Sequence, residues 1–318
     1  MLLVVFNTCG TFVSKAQTLK VKPNIVVIYL DDLGYGDLSC YGATTIKTPN
    51  IDMLANGGVK FTNGYASSAT CTPSRYALLT GVYPWRNKDA KILPGSAPLL
   101  IGIDQQTLPK MLKQNGYQTA VVGKWHLGFA EKGYDKPLPG GPVDRGFDQF
   151  FGLRASTDIA PYFYIRGDRA VSPPTKHIAA NRSDAWSPIQ GEFWREGGIA
   201  PDLKLDEVLP RFTEEAIEVI KCHDAAKPLM LYLAYPAPHT PWLPTPAFRG
   251  KSGAGMYGDF VMMLDHEIGR VCAALDAADM ARNTLVVFTS DNGPVWYPRD
   301  VKRFGHDAVG GLRGMKGD

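Results

Sequence analysis

Short apolar segments alternate with helical patterns along this 318-residue chain, and few folds are compatible with that alternation. The segments are rich in β-branched and aromatic residues and have the length of buried strands; they are residues 24–30, 119–123, 228–235 and 284–290. Helical spacing or helix start and stop signals occur between and around them, at residues 48–56, 107–115, 207–223 and 257–278. The sequence therefore predicts an α/β fold, with a mainly parallel sheet and helices on both faces.

The composition excludes several other classes. Hydrophobic residues make up 45% of the chain and charged residues 20%, which is typical of a globular protein. The net charge of +3 gives no support for a nucleic-acid partner. No apolar run approaches the roughly 18 residues of a membrane span. The five cysteines contain no CxxC pair, which argues against a structural zinc site.

Two segments fall outside the alternating pattern. Residues 1–16 contain a short apolar stretch, and the small residues Ser14 and Ala16 suit signal cleavage after position 16. We therefore expect a signal peptide and a secreted, periplasmic or lysosomal-type compartment; a frayed or wrongly assigned start is the alternative. Residues 154–202 are rich in Pro, Gly, Trp and Arg, and we interpret them as a substrate-facing excursion over the sheet edge, with a solvated loop as the alternative.

Polar, chemically capable residues follow each of the four strand segments directly. They are Asp31 and Asp32, then Lys124 and His126, then His239, and finally Asp291 and Asn292. Ligands of open α/β sheets bind outside the carboxyl ends of the strands. We therefore expect these side chains to share one site.

The acidic members of this set indicate a metal. Asp31, Asp32, Asp291 and Asn292 are hard oxygen ligands, and three close carboxylates repel one another unless a cation lies between them. Oxygen ligation favours Ca²⁺ or Mg²⁺ over Zn²⁺. A single Asp-Asp pair is more often a turn or a helix cap, so the second pair carries this prediction.

Residues 69–81 form the strongest local motif. Pro73 suits the first turn of a helix, which would place Cys71 just before a helix N-terminus. That position favours an anion and lowers the pKa of a thiol, and Arg75 lies one turn further on. The alternative is a buried cysteine that acts as a small hydrophobic residue.

These motifs together resemble those of the type I sulfatases. The segment Cys71-Thr72-Pro73-Ser74-Arg75 resembles the first signature of that family, and residues 116–126 resemble the second. Residues 31–37 and 290–293 resemble its metal-binding segments, and the resemblance runs from about Lys22 to the last residue. It implies an alkaline-phosphatase-like fold and the hydrolysis of an aryl or carbohydrate sulfate ester.

The resemblance also implies the nucleophile and the metal site. Cys71 would be oxidised to Cα-formylglycine by a formylglycine-generating enzyme, and the hydrated aldehyde would attack sulfur. Ca²⁺, with Mg²⁺ as the alternative, would be held by Asp31, Asp32, Asp291, Asn292 and residue 71. Family members continue beyond the position of Asp318, so the catalytic domain at 22–318 is expected to be incomplete at its C-terminal end.

The remaining roles are likewise implied by the resemblance. Arg75 would steady the hydrated aldehyde, and Lys124 and Lys316 would hold sulfate oxygens. His126 would take the proton that drives sulfate release, and His239 would protonate the leaving oxygen. Ser156, four residues past Gly152, would contact the sulfate.

Two other functions are compatible with the motifs. A phosphatase or phosphodiesterase of the same superfamily is one, although those enzymes usually have a Ser or Thr nucleophile and two His-bound zinc ions. A truncated, inactive protein that only binds sulfated glycans is the other.

Overall fold

A computed structural model describes residues 22–318, and the predicted signal peptide at 1–16 lies outside this range. The strands, in chain order, are β1 (Asn24–Asp31), β2 (Gln118–Lys124), β3 (Gln149–Leu153), β4 (Tyr164–Arg166), β5 (Arg169–Ala170), β6 (Lys176–Ile178), β7 (Gly197–Ile199), β8 (Leu229–Pro238) and β9 (Thr284–Ser290). Seven of them form one sheet in the order β5-β4-β3-β2-β8-β1-β9. The five strands from β3 to β9 in this order are parallel, whereas β4 and β5 are antiparallel. The predicted mainly parallel sheet is confirmed.

Six α-helices accompany the strands in the described part of the chain. They are α1 (Pro49–Asn56), α2 (Cys71–Thr80), α3 (Leu108–Gln114), α4 (Val208–Lys221), α5 (Gly255–Ala277) and α6 (Pro298–Phe304). Helices α4 and α5 pack against each other and against β8, and α3 packs against β2. Between residues 22 and 318 no helix is long and apolar enough to cross a membrane.

The predicted helix start signals are correct in position but differ in chemistry. The Thr107 hydroxyl caps α3 by accepting a hydrogen bond from the backbone N–H of Lys110 at 3.3 Å. Thr48 also precedes its helix, with Pro49 in the first turn, but no helix N–H bonds to its hydroxyl. That hydroxyl contacts Ser39 instead, at 2.8 Å. Thr48 therefore links α1 to the preceding loop rather than capping the helix.

Residues 154–202 are more ordered than a loop excursion. Strands β4 and β5 extend the main sheet through this segment, and β6 and β7 form a separate antiparallel pair. Three of its arginines, Arg154, Arg166 and Arg195, form ion pairs with carboxylates of the same chain. The start of the segment enters the site described below.

The centre of the sheet leaves no room for a side chain at Gly123 in β2. Its φ is +118°, and a Cβ there would lie 2.0 Å from the backbone oxygen of Ala234 in β8. Gly42 has a similar φ of +107°, but among residues 22–318 no atom lies within 4 Å of its Cβ position. Both positions require a backbone conformation that favours glycine, but only Gly123 is also crowded by a neighbouring strand.

We expect Gly123→Ala to lower the free energy of unfolding more than Gly42→Ala does. In the control, Gly42→Ala, the free energy of unfolding should fall only by the cost of a left-handed backbone, about 1–2 kcal/mol. Gly123→Ala should lose roughly a further 1–3 kcal/mol because the strands must move apart. Urea denaturation of both variants measures the difference, and equal losses would contradict the strand packing described here.

Candidate active site

The carboxyl ends of β1, β2, β8 and β9 meet at one buried polar cluster. Asp31 ends β1 and Lys124 ends β2, whereas His239 follows β8 and Asp291 follows β9. All four side chains are at most 9% exposed. The structure thus brings together the residues that the sequence placed after four separate strands.

Each of the three carboxylates at the strand ends has one cationic side chain as its nearest partner, and Asp31 also lies 3.7 Å from Arg75. The shortest distances are 2.6 Å for Asp31 with Lys124, 2.7 Å for Asp32 with Lys316, and 2.8 Å for Asp291 with Arg75. Arg75 reaches Asp291 with two nitrogens, Nε and Nη2, and is fully buried. These three cations offset the repulsion among the carboxylates, so that repulsion does not by itself require a metal.

Ion pairs set the charge states of Asp31 and Lys316, whereas burial, with the charge of Asp31 as a second cause, raises the pKa of Asp291 well above its usual range. Burial alone would raise the pKa of Asp31, but the nearby charge of Lys124 holds it well below its usual range. Burial likewise opposes the charge of Lys316, yet the Asp32 carboxylate raises the pKa of that amine. Asp31 is therefore an anion and Lys316 a cation at neutral pH.

Cys71 is the first residue of α2, whereas the sequence placed it just before the helix. Its Sγ lies 3.5 Å from Nδ1 of His126, and both side chains are buried. The backbone N–H groups of the first turn favour an anion at this position.

His126 faces Cys71 with an unprotonated nitrogen. Its Nε2 lies 2.8 Å from the backbone oxygen of Leu93, which only accepts hydrogen bonds, so Nε2 carries the proton. Burial, with the charge of Lys124 as a second cause, lowers the pKa of His126 well below its usual value. The neutral ring therefore offers the Nδ1 lone pair to residue 71.

His239 is held on the opposite side of the cluster. Its Nδ1 bonds to the backbone oxygen of Thr240 at 2.8 Å, and Ser156 Oγ lies 3.3 Å from the same nitrogen. Its Nε2 faces Asp32 Oδ2 at 3.6 Å. Ser156 therefore contacts His239 directly, whereas the sequence placed it only near the sulfate.

Asp158 belongs to the cluster and was missed by the sequence analysis. Its Oδ1 lies 3.7 Å from Nδ1 of His239, and its other oxygen is bonded by Arg195. Its position two residues after Ser156 was the available signal. A lone Asp in an irregular segment gives no indication of its partner, so packing alone reveals it.

The comparisons with known proteins identify the family. Residues 23–317 match the family model named Sulfatase. The chain belongs to the sulfatase family. The resemblance that the motifs indicated is therefore confirmed.

Relatives of this chain have names that refer to different sulfate esters. It is 39% identical to N-acetylgalactosamine-6-O-sulfatase of Bacteroides thetaiotaomicron, over 93% of this chain and 64% of the relative. It is 34% identical to human Arylsulfatase A, over 86% of this chain and 52% of that protein. The chain thus spans about half to two thirds of the length of the curated relatives it matches.

Solved structures confirm the expected fold. A structure from work on the metabolism of multiple glycosaminoglycans by Bacteroides thetaiotaomicron has a TM-score of 0.82 and 38% identity. The match covers 93% of this chain and 68% of the solved one. A second structure, a complex with k-i-k-neocarrahexaose, has a TM-score of 0.70 and 27% identity, covering 93% and 62%. The alkaline-phosphatase-like α/β fold is therefore confirmed.

The family implies a divalent cation, and the cluster contains suitable ligands for one. Asp31 Oδ1 and Asn292 Oδ1 are buried and have no hydrogen-bond partner among residues 22–318. Asn292 Nδ2 donates to Asp32 at 2.7 Å, which leaves its oxygen free to bind a cation. Ligand atoms of Asp31, Asp32 and His239 also lie within 4.8 Å of one another. This oxygen-rich set fits a hard cation.

Proposed function

We propose that this sulfatase hydrolyses sulfate esters and that Cys71 provides the nucleophile. The observation that carries the proposal is the position of Cys71, at the start of α2 and 3.5 Å from the Nδ1 lone pair of His126. The three acid–cation pairs at the strand ends complete the site.

The charge of the cluster suits an anionic ester. Asp31, Asp32 and Asp291 are matched in number by Arg75, Lys124 and Lys316. A bound Ca²⁺ or Mg²⁺ would give the site an excess of two positive charges. Lys124 and Lys316 would then hold sulfate oxygens, where their charge stabilises the negative charge of the transition state.

The proposed nucleophile depends on two groups that the family implies. Conversion of Cys71 to Cα-formylglycine would supply a hydrated aldehyde, and the cation would acidify its hydroxyl. Asp31, Asp32, Asp291 and Asn292, together with residue 71, would hold the cation.

The proton transfers fall to the two histidines. His126 would accept a proton from residue 71 at Nδ1, because its Nε2 proton is committed to Leu93. His239 would deliver a proton from Nε2 to the leaving oxygen, because its Nδ1 is bonded to Thr240. Arg75 would keep Asp291 oriented, and Ser156 would hold the ring of His239 while contacting sulfate.

We also propose how Cys71 is modified and where the protein is located. A formylglycine-generating enzyme would act on Cys71 before the protein folds around it, because the Cys71 side chain is buried in the structure. The expected signal peptide at residues 1–16 would direct the chain to an exported compartment. The catalytic domain would occupy residues 22–318.

We propose a carbohydrate sulfate as the substrate class, with an aryl sulfate as the alternative. Relatives named N-acetylgalactosamine-6-sulfatase or -6-O-sulfatase are 34–39% identical, whereas those named Arylsulfatase A and Steryl-sulfatase are 34% and 32% identical. N-acetylgalactosamine 6-sulfate is therefore the first ester to assay. Parallel assays of phosphate monoesters test the phosphatase alternative.

Replacement of His239 should affect esters according to their leaving group. We expect His239→Ala to lower kcat/KM about 10²–10⁴-fold for N-acetylgalactosamine 6-sulfate, since a sugar alkoxide requires protonation. The loss should be much smaller for 4-nitrophenyl sulfate, because nitrophenolate leaves without a proton. His177→Ala, an exposed position in β6, is the matched control. Equal losses on both esters would exclude His239 as the acid.

A further inference from the structure

Two aromatic rings are stacked on the surface outside the catalytic cluster. Tyr83 and Trp85 lie 4.0 Å apart between ring centroids with an interplanar angle of 17°. Tyr83 is 54% exposed and Trp85 is 69% exposed, so the outer ring faces are open to solvent. We call these two residues the aromatic pair.

Basic side chains accompany the aromatic pair. Arg86, Lys88 and Lys91 are exposed, and none forms an ion pair with a carboxylate in the part of the chain that the structure describes. Asp89 is the one acidic residue of this stretch, so the stretch remains positive. This stretch of the chain thus combines open aromatic faces with excess positive charge.

This segment leads from the aromatic pair to the site. Helix α2 starts at Cys71 and is about 15 Å long, and Tyr83 follows its far end. The chain then returns, and Leu93 contacts two residues beside Cys71. Its N–H donates to Thr72 Oγ1 at 3.4 Å, and its oxygen accepts from His126 Nε2 at 2.8 Å. The basic residues lie between these two points along the chain.

The chemistry of the surface fits a sulfated polysaccharide. The electron-rich face of an aromatic ring attracts the polarised C–H groups on the face of a sugar ring. The basic side chains complement sulfate and carboxylate groups along such a polymer. We propose that the aromatic pair and its basic neighbours form a secondary binding surface for a sulfated glycan chain. The choice of glycan rests on the proposed function, whereas the surface itself is tested by binding alone.

The test uses a chondroitin sulfate oligosaccharide as the probe, with the Cys71→Ala background to prevent turnover. We expect Trp85→Ala to raise Kd about tenfold, equivalent to about 1.4 kcal/mol. Lys88→Gln with Lys91→Gln should weaken binding and reduce its salt dependence. Tyr65→Ala, which removes an exposed aromatic residue with no stacking partner among residues 22–318, should leave Kd unchanged.

Three results would overturn this proposal. The first is that the parent protein fails to bind the oligosaccharide. The second is that Trp85→Ala and Tyr65→Ala have the same Kd. The third is that Trp85→Ala abolishes self-association in analytical ultracentrifugation without changing glycan affinity, which would assign the aromatic pair to contact with a second copy.

Hydrolysis measurements separate this proposal from the proposed function. With Cys71 intact, Trp85→Ala should retain kcat/KM for 4-nitrophenyl sulfate, because that ester is too small to reach the aromatic pair. If the protein hydrolyses no sulfate ester but Trp85→Ala weakens glycan binding, the proposed binding surface stands and the proposed function fails. If the protein hydrolyses sulfate esters but Trp85→Ala leaves glycan affinity unchanged, only the proposed binding surface fails.

Discussion

Sulfate ester hydrolysis should fall about 10⁴-fold or more in Cys71→Ala, as in other enzymes that lose their nucleophile. The side chain is small and buried, and replacing its thiol by hydrogen leaves the start of α2 intact. The variant should therefore retain nearly the full free energy of unfolding. Hydrolysis of 4-nitrophenyl sulfate and urea denaturation measure the two quantities on the same preparation.

Cys272→Ala is the matched control, because Cys272 lies half-buried in α5 away from the cluster. This control should retain activity. If Cys71→Ala hydrolyses the ester as fast as Cys272→Ala does, residue 71 is not the nucleophile.

Removal of Asp291 should destabilise the protein. Asp291→Ala leaves the fully buried guanidinium of Arg75 without its two hydrogen bonds to a carboxylate, and Asp31 at 3.7 Å is the acidic group that remains near it. Breaking one half of a buried ion pair costs about 3–5 kcal/mol, because the remaining charge stays buried. Urea denaturation should show this loss, and ester hydrolysis should be lost with it.

A double replacement and a surface control sharpen this test. Arg75→Met combined with Asp291→Leu removes both charges and should recover part of the stability lost in Asp291→Ala. Glu207→Ala breaks the exposed pair with Lys204 and should cost at most about 1 kcal/mol. A loss in Asp291→Ala as small as that in Glu207→Ala would mean that Arg75 is not held by a buried pair.

The sequence predicted the centre of the sheet because its strands have a strong physical signal. Strand β8 is buried along its whole length, so nearly every position must be apolar. Strands β4 to β7 are only two or three residues long and have mixed exposure, so they leave no period for sequence analysis to detect. Their positions depend on pairing with β3 and with each other.

The membership of the site was predictable, but its pairings were not. The rule that ligands bind at the carboxyl ends of strands placed Asp31, Lys124, His239 and Asp291 together. The pairing of Asp32 with Lys316 joins residues 284 positions apart and depends on side-chain direction. The contact of Asp158 with His239 also depends on packing alone.

The mass of the peptide that contains residue 71 tests the proposed nucleophile most directly. The protein should be produced in a host that converts a control sulfatase, and the peptide analysed after proteolysis. We expect the mass of an aldehyde at this position in place of the thiol. An unmodified thiol at Cys71, in a preparation where the control sulfatase is fully converted, would contradict it and favour a protein that only binds sulfated glycans.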